Sequence, residues 1–476
     1  MRTQIFFAST LYGAATLAAA LDAGRFEPAD RRLLLVSNNA ATPETSPSLD
    51  AMPGFERLRH RFDRVLSWNE TISPFHPSGW SPRGDDVPLW ERYLRLRWGL
   101  GDAADDQVEL ALESIQVEPA LAIAKMFPDA PIDLYADGLM SYGPTRNKLA
   151  PLVGTRVRRL LHLDLLPGLR PLLLTEFGVE PETVPADAFR SVLSELSRDV
   201  PPSVTTAPHG AALLLGQYLS ALDILSAEEE EQLHVRMLRG AAELGHRKVV
   251  FKPHPIAPAH FSRTLEKEAV ELGVELTVLE APVLAEVLYE HLKPALVAGC
   301  FSTALLTAST FYGLRVARTG TGLLLERVVP YQNSNRIPVT LVDAVLPELT
   351  DAEAVGSWRA PTATSRGTTP EPPAGRAGRH GEPLHPGQVD ISELTGLVRA
   401  VGFCMQAKIY PELRPEAERF LSERLTGDTW RYFKRRRLTS LGLPGALPQQ
   451  FAFVPRNRTV RRVARRARAL KRAALG

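Results

Sequence analysis

Cysteine is nearly missing from this chain, with only Cys300 and Cys404 among 476 residues. Two cysteines build no disulfide framework, and neither has the spaced Cys or His neighbours of a structural zinc site. A reducing compartment is the simplest setting, and no metal site is expected. Long apolar runs are missing as well. No stretch reaches the roughly 18–20 uninterrupted apolar residues that cross a bilayer, so no membrane-spanning helix is expected. Met1-Arg2, Ile5-Phe6-Phe7 and the Ala-rich run to Ala20 have the outline of a signal peptide, but Ser9, Thr10, Tyr12 and Gly13 interrupt it. The segment reads better as a strand over Gln4 to Ala8, a tight turn, and a helix over Ala14 to Ala23.

Net charge is small too, at +2, but it is unevenly placed. Residues 456–476 hold nine Lys or Arg and no acid, and removing those nine from the net +2 leaves the first 455 residues at −7. The body is therefore no general polyanion binder, whereas the tail has the charge to meet an anionic lipid surface, a polyanionic glycan or nucleic acid, or simply water. If the tail is helical, its apolar face is only Val and Ala, and electrostatics dominates any membrane contact. The membrane reading makes the chain a cytoplasmic protein held peripherally at the inner face of the membrane, and no nucleic-acid partner is expected.

At about 100–200 residues per domain, the length calls for two or three domains. Short apolar runs at Gln4 to Ala8, Arg32 to Val36, Arg64 to Ser67 and Ile132 to Tyr135 alternate with helical patterns, the signature of a parallel sheet. A helix over Ala186 to Leu196 leads to Pro201-Pro202, where a boundary is expected. The second half repeats the pattern. Strands are predicted over Ala211 to Leu215, Lys248 to Lys252, Val274 to Leu279, Ala295 to Ala298 and Leu314 to Ala317. The intervening helices include one opened by a Ser226/Glu229 capping box, one with Pro282 in its first turn, and one over Ser302 to Tyr312. Domains are thus expected over 1–200 and 201–355. A Pro/Gly-rich linker or insertion at 356–388, packing helices within 389–455 and the basic tail 456–476 complete the chain. The expected fold class is α/β, two Rossmann-like doubly wound domains facing across a cleft, with C-terminal helices. This matches the GT-B architecture of nucleotide-sugar glycosyltransferases, which some epimerases share.

Three polar clusters fall where such sheets present their ligands, beyond the carboxyl ends of strands. Tyr135-Ala136-Asp137-Gly138, followed by Ser141 and Tyr142, puts a carboxylate on a glycine turn, suited to take a proton from an attacking hydroxyl or to shape the loop as an Asx-turn. Lys252-Pro253-His254-Pro255 holds an imidazole between two prolines, as a donor to a leaving phosphate or as an ordinary hydrogen-bonding group. Ser302-Thr303 opens a helix and serves as a phosphate cradle, a helix cap, or both.

An acidic residue before glycine, a His-Pro and a paired Ser/Thr, in that order across two Rossmann-like domains, resemble the motifs of the bacterial sialyltransferases, above all the polysialyltransferase-like family. The Ser9-Thr10-Leu11-Tyr12-Gly13 turn adds to the likeness, which covers about residues 1 to 345. The resemblance implies an inverting, metal-independent transfer of a sialic-acid-like sugar from a CMP-activated donor to a glycan or glycolipid, in the building of a cell-envelope or capsular polysaccharide. It gives Asp137 the role of general base, His254 that of assisting the departing phosphate, and Ser302 and Thr303 that of binding it. The family carries a second acid where this chain has Ala136. No cofactor beyond the donor is called for. Lys252, Gly216, Gln217, Glu280 and Pro282 stand where donor contacts are expected. Gly138, Ser141, Tyr142, Asn69 and Trp80 stand on the acceptor side, in a region that also holds Asn38, Asn39, His76 and Pro77. The alternatives are a GT-B enzyme of another class, a UDP-sugar transferase or sugar-nucleotide epimerase, or a polyanion-binding protein led by its tail.

Overall fold

The computed structural model describes residues 1–446 apart from Ala103, Asp137, 255–259 and 360–389. The expected general base Asp137, nearly all of the Pro/Gly-rich segment and the whole basic tail therefore lie outside the described residues.

Seven parallel strands form the first sheet: β1 (Arg2–Ala8), β2 (Arg31–Val36), β3 (Arg64–Ser67), β4 (Gln107–Leu112), β5 (Ile132–Tyr135), β6 (Val157–Leu163) and β7 (Glu180–Val184). Their order is β3-β2-β1-β4-β5-β6-β7. Five more make a second parallel sheet: β8 (Ala212–Leu215), β9 (Lys248–Lys252), β10 (Glu275–Val278), β11 (Leu296–Gly299) and β12 (Val316–Arg318), ordered β10-β9-β8-β11-β12. In both, the winding reverses beside the first strand, between β1 and β4 and between β8 and β11, which opens a crevice at the carboxyl edge. This is the expected pair of doubly wound domains.

The apolar runs explain the sheets. Residues Thr3 to Ala8 of β1 and all four residues of β8 are buried, as strands covered by helices on both faces require. Phe6 packs edge-on to Phe26 and Phe62, with ring centroids 5.0 and 5.6 Å away.

Three expectations need correction. β4, β6 and β7 are not among the expected strands, β6 carrying Arg158 and Arg159 and β7 Glu180, Pro181 and Glu182, yet all three pair in the sheet. The first helix begins earlier than expected, at Leu11, because the Thr10 hydroxyl caps the Gly13 N–H at 2.9 Å. Pro282 opens no helix. Leu284 is extended and the helix starts at Ala285, so Glu280 to Pro282 form a loop beyond β10. The Ser226/Glu229 capping box forms as predicted.

The C-terminal helices, Ile391–Gln406, Arg414–Arg424 and Arg435–Leu441, are tied to both sheets. Toward the first, the Tyr410 hydroxyl accepts the Thr145 N–H (2.9 Å) and reaches Glu176 Oε2 (2.6 Å), while Gln406 Nε2 donates to Arg146 O (2.6 Å). Toward the second, Tyr432 donates to Asp343 Oδ2 (2.8 Å). Asp343 is fully buried among Thr321 at 2.6 Å, Arg318 at 3.2 Å and Arg431 at 2.9 Å. No described helix is long and apolar enough to cross a membrane.

Candidate functional site

The carboxyl edges of the two sheets meet at Gly138 and Thr303. A Cβ on Gly138 would stand 2.8 Å from Thr303 Oγ1, so the turn after β5 lies directly on the helix that follows β11. Nearby, the Tyr12 hydroxyl sits 3.4 Å from Thr307 Oγ1, joining the first helix of one sheet to the same helix of the other.

On the second sheet, the expected donor residues other than Glu280 and Pro282 gather at one edge. Ser302 is the N-cap of the helix Thr303–Tyr312, and its hydroxyl accepts the Ala304 N–H at 3.3 Å. Both Ser302 and Thr303 stay partly exposed. The Gly216-Gln217 loop after β8 bridges the neighbouring strand ends, because Gly216 N–H donates to Lys252 O (2.9 Å) and Gln217 Oε1 accepts the Phe301 N–H (3.1 Å). Gly216 is needed for closeness, since a Cβ there would fall 2.9 Å from the Phe251 ring. Beyond this loop, Glu230 accepts from Leu219 N (2.6 Å), Ser220 N (2.9 Å) and Ser220 Oγ (2.7 Å). Sequence reading missed this anchor, because a glutamate in a helix's first turn looks like a surface charge.

Lys252 is only 6% exposed, and burial lowers its pKa to about 8, with the nearby Glu286 opposing that shift. Burial likewise raises Glu286 to about 7, against the pull of its helix N-terminus and of Lys252. His254, open to solvent on one side, is pushed below the usual imidazole range by the protein around it and by the Lys252 charge. Its ring lies 6.5 Å from that of Tyr218. Tyr289, on the same helix as Glu286, donates to Ala304 O at 2.8 Å and so links this charged pair to the start of the Thr303–Tyr312 helix. Glu280 and Pro282 lie in the loop that follows the edge strand β10, with β9 between that strand and β8.

The first sheet's crevice is filled differently. Glu113, 1% exposed at the end of β4, accepts the Ser9 N–H at 2.7 Å and the Ser9 hydroxyl on one oxygen, and the Tyr135 hydroxyl at 3.0 Å on the other. Its second oxygen lies 2.8 Å from where a Cβ on Gly13 would be, at the N-terminus of the helix Leu11–Asp22. A carboxylate thus lies against the first turn of this helix. Glu113 went unnoticed in the sequence because the strand before it did.

After β5, the Ser141 hydroxyl donates to Gly138 O (3.0 Å). Tyr142 turns inward, 1% exposed, and burial raises its hydroxyl well above the usual phenol range. Beside this loop is a cavity of about 70 Å³ walled by Ala136, Gly138, Ser141, Arg146, Ser334 and Met405.

A larger pocket, about 630 Å³, opens beyond β2 and β3 and includes Asn38, Glu44, Asp50, Asn69, Glu70 and His76. Asn69 spends its amide on the loop, accepting Asn38 N–H (2.8 Å) and donating to Asn38 O (2.9 Å). Asn39 accepts the Ser37 hydroxyl at 2.7 Å. His76 bonds Ala40 O through Nε2 (2.9 Å) and accepts the Ser78 N–H at Nδ1 (3.2 Å), and Pro77 is buried behind it. Trp80 stacks under the half-exposed Phe75 at 5.9 Å. Among the described residues no group of three or more His, Cys, Asp or Glu is placed to hold a metal ion.

Comparison with known proteins gives three findings. The sequence model described as alpha-2,8-polysialyltransferase (POLYST) matches residues 4–320. No curated protein matches the sequence. Similar solved structures include UDP-GlcNAc 2-epimerase from Methanocaldococcus jannaschii, at 12% identity and TM-score 0.42, covering 75% of this chain and 90% of that one. They also include a sialyltransferase from Photobacterium damsela, at 10% identity and TM-score 0.39, covering 74% and 79%.

Proposed function

Since the chain belongs to the alpha-2,8-polysialyltransferase family and is a glycosyltransferase, we propose that it moves a sialic-acid-like sugar from a CMP-activated donor to a glycan acceptor, with inversion and without a metal. The observation that carries this reading is the meeting of Gly138 with Thr303. It brings Gly138, the residue that follows Asp137 in the sequence, against a helix N-terminus that suits a phosphate.

In this reading the CMP phosphate sits at Ser302 and Thr303, within the field of Lys252 and beside His254. The sugar leaves through an oxocarbenium-like state, and the growing charge on phosphate is met by the helix amides, two hydroxyls and the two basic groups. A monophosphate leaves with less charge than a diphosphate, so these groups suffice where a diphosphate calls for a cation. Asp137 takes the acceptor's proton as its oxygen attacks from the first sheet. Support for giving the nucleotide to the second sheet comes from Glu113, whose carboxylate lies against the first turn of the matching helix on the first sheet and would repel a phosphate there. The acceptor then approaches over the first sheet, past Gly138 and Ser141 and toward the pocket near Asn69 and Trp80.

A thermal-shift titration of the full chain tests the donor. A ligand that binds only the native state raises the unfolding midpoint as its concentration exceeds its dissociation constant. CMP should raise it and UDP should not. A shift with UDP alone would move the chain to another donor class.

A further inference from the structure

Arg146 is a half-buried cation that the motifs do not account for. It lines the small cavity beside the β5 loop, together with Gly138 and Ser141. No hydrogen-bond or acidic partner for its guanidinium exists among the described residues, and burial alone draws its pKa down. Its guanidinium nitrogens keep contact with water, so the planar fork is free to receive the two oxygens of an arriving carboxylate.

Its main chain is held firmly. Arg146 N–H donates to Gln116 Oε1 (2.5 Å), and Arg146 O accepts from Gln406 Nε2 (2.6 Å). Thr145, the residue before, is buried and bonded to Tyr410 through both its N–H and its hydroxyl, each at 2.9 Å. The C-terminal helices thus position one arginine at the cavity wall, which is the preorganisation that charged recognition needs.

The donor's own chemistry says what that anion is. In a CMP-activated 2-keto acid sugar, one carbon carries both the phosphate oxygen and a carboxylate. A group that reads the carboxylate must therefore lie next to the phosphate cradle. Gly138 touches Thr303 of that cradle on one side and shares the cavity with Arg146 on the other. We propose that Arg146 binds the carboxylate of the donor sugar and holds the anomeric carbon between the Ser302–Thr303 helix start and the β5 turn. The inference rests on the CMP-sugar reading above, and it makes the C-terminal helices part of donor selection.

The test is calorimetric titration of the full chain with CMP and with CMP-3-fluoro-sialic acid, an inert donor analogue that keeps the carboxylate. Wild type should bind the analogue more tightly than CMP. Arg146→Gln should lose roughly 10- to 100-fold in affinity for the analogue, the worth of a charge-assisted pair, and change less than about twofold for CMP. Arg146→Lys should fall between, because it keeps the charge and loses the planar fork. Unchanged analogue affinity in Arg146→Gln, or an equal loss for both ligands, overturns the assignment. Failure of wild type to bind either ligand overturns the donor reading itself, and the assignment with it.

Discussion

Gly138 and Thr303 stand so close across the two sheets that a single methyl group on the glycine would fall 2.8 Å from the threonine hydroxyl. The backbone of Gly138 is extended, with φ 175°, so space and not conformation demands glycine here. Gly138→Ala should cost about 1 kcal/mol in unfolding free energy as Thr303 leaves its rotamer. Adding Thr303→Ala should recover most of that loss, a coupling that a double-mutant cycle in urea measures directly.

Opposite effects are expected from the two helix starts. Glu113→Gln should destabilise the fold by roughly 1–3 kcal/mol, because buried bonds to Ser9 and Tyr135 are disturbed, while leaving CMP affinity within about twofold. Ser302→Ala with Thr303→Ala should weaken CMP by on the order of 1–3 kcal/mol. CMP titrations of both variants, set beside their unfolding curves, check the pair. Normal CMP affinity in the double variant would leave Ser302 as a helix cap only.

CMP affinity should depend on Lys252. Below its pKa of about 8 the ammonium is charged and favours a bound phosphate. A phosphate nearby raises that pKa, so binding holds the proton, and affinity should fall roughly tenfold from pH 7 to pH 9. Lys252→Met should bind CMP more weakly at pH 7 and lose most of that slope. Titrations at the two pH values in both proteins decide it.

The C-terminal clamps should show in stability. Tyr410→Phe removes a hydroxyl that serves Thr145 and Glu176 and should cost about 1–3 kcal/mol. Asp343→Asn leaves the buried Arg318 with less counter-charge and should cost more, about 3–5 kcal/mol. Urea unfolding measures both.

Much of this was legible in the sequence, and the exceptions share a cause. Lys248–Lys252, Arg64–Ser67 and Ile132–Tyr135 match their predicted spans because their apolar runs are bounded by turns. β6 and β7 hide theirs behind charges, which, with the single Glu109 of β4, pair sideways across the sheet. Glu109 pairs with Arg2 at 2.8 Å, Asp133 with Arg158 at 2.8 Å and Arg159 at 3.1 Å, and Glu182 with Arg159 and Arg25, each at 2.9 Å. Such a ladder needs the strand order to be recognised, and no local pattern contains that order. Pro181 further disguises β7, an edge strand that tolerates it. The site followed the same rule. Ser302 and His254 were visible beside their strands and turns, whereas Glu113 depended on an unseen strand and Arg146 on helices more than 250 residues away.

The most direct test of the account is a transfer assay with CMP-sialic acid and a glycan acceptor in the presence of EDTA, comparing wild type with Asp137→Asn. The account predicts metal-free turnover by wild type and a loss of about two to four orders of magnitude in the variant, the usual worth of a positioned base, with CMP affinity retained. Undiminished turnover in Asp137→Asn would contradict it, as would wild-type activity that appears only when Mg²⁺ or Mn²⁺ is restored.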